Sequence, residues 1–121
     1  MMDVNAILNE IRSREDINRA GMILVHFGQV RGFDLQGRPV KSLTVAPDLD
    51  KAESVRQDLL KRPGIVDIQV RLNSGKLFPG DPIMLAVVAG ETRDKVFPVM
   101  EELIERLKKD ASRKTEDTSP A

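Results

Sequence analysis

The chain has no cysteine, tryptophan or tyrosine, and its 121 residues include one histidine, His26. Without thiols it can form no disulfide, present no thiolate nucleophile and hold no cysteine-ligated zinc or iron–sulfur cluster; one imidazole cannot build a histidine metal cage. Four Phe leave aromatic residues at 3%, too few for the stacking platforms that bind single-stranded nucleic acid. An excess charge is missing as well. The 19 Lys and Arg balance 19 Asp and Glu, so no global field draws the protein to nucleic acid or to an anionic membrane. No apolar run approaches the length of a membrane span, and no basic region precedes an apolar stretch at the N-terminus; the expected compartment is the cytoplasm.

What is present suits a single folded domain: 40% hydrophobic and 31% charged residues can offset chain entropy, whereas two separate cores would each be too small. Val4, Ile7, Leu8 and Ile11 repeat at helical spacing behind Asp3, which predicts a capped amphipathic helix over 4–14. Met22 to Phe27 reads as a core strand buried on both faces, and Val40 to Ala46 as a half-buried one. Ala52, Val55 and Leu59 line a helix over 51–62 that Pro63-Gly64 stops. In Ile65 to Leu72 the alternation places Val66, Ile68, Val70 and Leu72 on one face and Asp67, Gln69 and Arg71 on the other. Turn residues flank Lys76-Leu77-Phe78, and Ile83 to Ala89 is a fully apolar strand expected to complete a hairpin. The last helix carries an apolar stripe of Val96, Phe97, Met100, Leu103, Ile104 and Leu107, with Pro98 set to kink it if Thr92 is its cap. The expected fold is α+β, a mixed and mainly antiparallel sheet with about three helices.

Basic residues gather at element ends: Arg31, Arg71, Arg93, Lys108 and Lys114. Exposed cations are ordinary, and Lys108-Lys109 would also complement the helix C-terminus. If they converge, arginine forks suit phosphate or carboxylate and a lysine suits acyl chemistry. His26, within an apolar strand, is expected to be a packed, hydrogen-bonded core residue. Gly75 to Gly80 lacks the Gly-Lys-Ser/Thr ending of a phosphate loop and reads as a turn.

The series Ala20-Gly21-Met22-Ile23-Leu24-Val25-His26-Phe27-Gly28-Gln29-Val30-Arg31-Gly32, Val70-Arg71, Gly75-Lys76-Leu77-Phe78-Pro79-Gly80-Asp81, Thr92-Arg93 with Phe97, and Leu107-Lys108 with Lys114 and Glu116 resembles the large, catalytic subunit of molybdopterin synthase, the MoaE family. The resemblance runs over roughly residues 4–116 and implies an α/β hammerhead fold, read as one domain over 1–110; residues 111–121, almost without apolar side chains, read as a flexible tail. It also implies a homodimer and a ubiquitin-like sulfur carrier as partner, whose C-terminal thiocarboxylate supplies sulfur to cyclic pyranopterin monophosphate to build molybdopterin. By position, Lys108 and Lys114 would be the catalytic lysines, and Arg31, Arg71 and Arg93 would bind the substrate; no metal or cofactor is implied. The family carries His-Arg where this chain has Val70-Arg71 and Thr92-Arg93, and Pro-x-Trp-Lys where it has Ala111-Ser112-Arg113-Lys114. A non-catalytic dimeric binding module is therefore the alternative. The expected dimer contacts are sheet edges or the apolar hairpin around Leu77, Phe78 and Ile83 to Val88.

Overall fold

The computed structural model describes residues 2–118. Helix α1 (Val4–Arg12) begins where Asp3 accepts the Ala6 N–H at 3.1 Å, and a single 3₁₀ turn (Ile17–Arg19) leads into β1 (Met22–Gln29). Strand β2 (Ser42–Pro47) precedes α2 (Leu49–Leu60), capped by the Asp48 carboxylate on the Lys51 N–H at 3.1 Å. Then follow β3 (Ile65–Leu72), β4 (Gly75–Leu77), β5 (Pro82–Gly90), α3 (Arg93–Asp110) and β6 (Ser112–Asp117). Both sheets are antiparallel: one has the order β1-β5-β3 and the other β4-β2-β6. The fold is α+β.

The apolar run of β5 is central because it has two faces to bury. Met84, Ala86 and Val88 pack beneath α2 and α3 with Val55, Leu59, Val96, Leu103 and Leu107, whereas Leu85, Val87 and Ala89 meet Ile7 and Ile11 of α1. A third cluster, Val30, Leu43, Val45 and Leu77, joins the small sheet to the end of β1.

Several sequence expectations change in this setting. Strand β1 is an edge, only partly buried, because its outer side has no strand to pair with. The alternation in β3 breaks at a bulge between Ile65 and Asp67. The extra residue sends Val66 to the α1 side and Ile68 to the α2–α3 side, as bulges do. Strand β4 does not form a hairpin with β5: residues 73–81 leave the large sheet so that β4 pairs with β2, while β3 and β5 pair with each other. Helix α3 starts at Arg93 with Pro98 inside it; Val99 joins the buried stripe and Phe97 stays exposed.

The tail expected over 111–121 is corrected in its first part. Ala111 is fully buried and its carbonyl accepts the Asp48 N–H at 2.7 Å. Ser112–Asp117 forms an edge strand on β2, with Lys114 opposite Val45 and Glu116 opposite Leu43. The end of α3 delivers the chain to the open side of β2, whose backbone groups supply the pairing that its charged side chains could not suggest. The remainder of that expectation, residues 119–121, lies outside the described residues.

Candidate functional site

Arg31 is placed by the turn at residues 78–81. Gly80, at φ +92, lets the chain reverse there, a backbone region glycine enters without steric cost. The Asp81 carboxylate accepts the Phe78 N–H at 2.8 Å. Gly80 then donates its N–H to the Val30 carbonyl at 2.8 Å, and Val30 donates its own to the Asp81 carbonyl at 2.9 Å. Two conspicuous sequence segments, Gly28 to Gly32 and Gly75 to Asp81, are thus one backbone-locked unit, with Arg31 leaving it as an exposed side chain.

Beyond Arg31 the chain makes a closed loop around Asp34. Its carboxylate, 7% exposed, accepts the Gln36 and Arg38 N–H groups and the Arg38 guanidinium at 2.7 to 2.9 Å. These hydrogen bonds hold the carboxyl below its usual range, with the Arg38 backbone contact foremost. The loop presents Phe33 and Leu35 to solvent, 59% and 85% exposed.

Lys108 comes from the last turn of α3 and Lys114 from β6. Residues directly opposed in an antiparallel ladder share a face. Lys114 and Glu116 therefore take the side of β6 that Val45 and Leu43, both buried, take on β2. A cleft of about 600 Å³ lies there, and its walls include His26, Arg31, Phe33, Lys108, Lys114 and Glu116. Lys114 is exposed to solvent, yet partial desolvation, then the charge of Lys108, lowers its pKa, with Glu116 opposing. Of the five basic residues singled out in the sequence, Lys108, Lys114 and Arg31 line this one cleft.

Arg71 and Arg93 do not converge with this group within one chain. Arg71 hydrogen-bonds the Val70 carbonyl at 3.0 Å and Gln69 at 3.3 Å, lies 3.8 Å from Glu10, and lines a separate cleft with Arg56. Arg93 opens α3 and Lys108 nearly closes it; fifteen residues of helix separate them by about 22 Å.

His26 is the residue that sequence reasoning misplaced. Opposite Ala86 in the ladder, it lies on the face that carries Leu24 and Met22 toward α3, but on the edge strand and next to the cleft, which its half-buried ring lines. Burial, then the charge of Lys108, lowers its pKa. The signal available in sequence was its period-two relation to Gly28, which carries no side chain to cover it. Among the described residues no group of three His, Cys, Asp or Glu could hold a metal, and no helix is long and apolar enough to cross a membrane.

The family model for MoaE protein matches residues 1–110. Among solved structures, a molybdopterin synthase from Staphylococcus aureus is 22% identical with a TM-score of 0.73, covering 85% of this chain and 78% of its own. A molybdopterin cofactor biosynthesis protein E from Burkholderia multivorans is 25% identical with a TM-score of 0.73, covering 97% and 83%. The complex of subunits 1 and 2 of molybdopterin-converting factor from Helicobacter pylori contains a chain 20% identical with a TM-score of 0.71, covering 95% and 78%. No curated protein sequence matches the chain.

Proposed function

Because the chain belongs to the MoaE protein family, with its role in molybdenum cofactor biosynthesis, we propose that it is the sulfur-transferring large subunit of a molybdopterin synthase. Its substrates are the thiocarboxylate of a ubiquitin-like carrier and cyclic pyranopterin monophosphate. The carrier sulfur displaces an oxygen substituent from a substrate carbon, the C–O bond breaking with its electron pair on oxygen as the C–S bond forms; water then cleaves the acyl–sulfur bond, leaving a carboxylate on the carrier and the sulfur on the substrate.

The observation that carries this reading is the convergence of Lys108, Lys114 and Arg31 on one open cleft. Cations there neutralise a thiocarboxylate and a substrate phosphate, and an ammonium fixed on a helix end can face the developing oxyanion of an attacked acyl carbon. The exposed Phe33 and Leu35 at the cleft wall supply apolar contact area for the carrier, whose chain end must reach the lysines. The subunit pairing in the Helicobacter pylori complex fits a partner of this kind.

The lysine series tests it. With thiocarboxylated carrier and precursor, Lys108→Ala should abolish molybdopterin formation. Lys114→Ala should chiefly weaken binding, and Lys109→Ala should be nearly silent because it points about 100° away around α3. Equal activity of all three variants would sink the assignment and leave the protein as a binding module.

A further inference from the structure

The only histidine of the chain lies in the cleft and is used neither by the fold nor by the lysine chemistry. Among the described residues His26 makes no hydrogen bond or ion pair to the protein, and no buried side-chain nitrogen or oxygen lacks a partner, so its free ring nitrogens are open to the solvent of the cleft. Its Nε2 faces Gly28, where an added Cβ would lie 3.4 Å away, so glycine leaves that side of the ring uncovered. Lys108 of α3 acts on the ring, and the other charged groups lining the same cleft are Lys114 and Glu116 of β6 and Arg31 in the loop after β1.

We propose that His26 is a further catalytic residue of this cleft, the base that takes a proton from the water cleaving the carrier's acyl–sulfur bond. The inference rests on the sulfur-transfer reading and adds to it a base distinct from the lysines, whose charged form is needed to balance the oxyanion. An ordinary lysine is almost wholly protonated near neutral pH, whereas an imidazole is largely free base. The cationic neighbourhood and burial favour that neutral form further. In the step, the water oxygen bonds to the acyl carbon while a water proton passes to the imidazole. The carbon–sulfur bond then breaks with its electron pair on sulfur, leaving a thiolate on the substrate. The new carboxylic acid and the imidazolium each release a proton to solvent. Lys108 or Lys114 balances the oxyanion between these events, which divides the labour as general base and electrostatic stabiliser.

The test uses the full chain with thiocarboxylated carrier and precursor, following carrier–substrate adduct and released carboxylate carrier by intact mass spectrometry. His26→Gln and His26→Phe are compared, the second because a ring of similar size preserves packing; thermal unfolding confirms that the variant used is folded. The expected result is adduct formation at the wild-type rate and discharge slower by about 10²-fold or more. Wild-type discharge should fall as pH drops through a pKa below 6.5, and the variants should lack that dependence. Variants that discharge adduct at the wild-type rate, or slow both steps equally, would overturn the role of His26 alone. A wild-type protein that releases no carboxylate carrier in response to precursor would overturn the sulfur-transfer reading, and the inference with it.

Discussion

Two ammonium groups, Lys108 and Lys114, share one cleft with an imidazole, and their repulsion acts on partly desolvated neighbours. For His26 the folded protein prefers the neutral ring, so between its folded pKa and 6.5 the unfolded chain binds more protons. Its contribution to stability is present above 6.5 and is lost as pH falls through that window. Because the chain has one histidine, its ring gives a single imidazole C2–H signal in proton NMR. That signal should titrate below 6.5, and Lys108→Ala should raise the midpoint while Lys109→Ala leaves it in place. An unchanged midpoint in Lys108→Ala would mean that this ammonium does not face the ring. Residue types made the lysines and Arg31 legible in the sequence. The histidine is not, because an apolar run does not reveal that its strand is an edge with a cleft beside it.

The elements differ in how openly the sequence announces them. Helix α1 with its Asp3 cap, the Ala52, Val55 and Leu59 stripe of α2, and the twice-buried β5 follow from periodicity and local signals; that Asp48 is the α2 cap is read from the structure. Strand β6 does not, since Ser-Arg-Lys-Thr-Glu-Asp has no apolar alternation. A charged edge strand is a usual way to prevent further pairing, and its partner lies almost seventy positions earlier in the chain, as Val45 opposite Lys114 shows. This strand nevertheless covers Leu43 and Val45 and carries half of the lysine pair. Ending the chain after Ala111 should lower stability by on the order of 2 kcal/mol, the cost of re-exposing part of two buried side chains. Urea unfolding measures it. A midpoint equal to the full-length protein's would show that β6 adds nothing to the core.

At the scale of the whole molecule, Arg71 and Arg93 stand apart from the cleft that Lys108, Lys114 and Arg31 line. Arg93, among the described residues, makes no hydrogen bond or ion pair, and its separation from Lys108 along α3 is too great for one small substrate to bridge. Were the protein a homodimer in which the Arg93 end of one protomer abuts the lysine end of the next, each cleft would draw on both chains. The expected contact surface narrows accordingly: Leu77 and Met84 to Val88 are buried within the protomer, leaving Phe78 and the strand edges available. Complementation decides the matter. Lys108→Ala and Arg93→Ala proteins, each inactive alone, are mixed, dissociated and reassociated. Half of the resulting dimers then contain one of each protomer, and each such dimer holds one cleft with both residues intact. Activity should return to about one quarter of wild type, the share of intact clefts in a random isologous mixture. Recovery requires both a dimer and a shared cleft. A mixture that forms mixed dimers, shown by native mass spectrometry, but stays inactive would place Arg93 outside the site and leave Arg31 as the arginine that serves it.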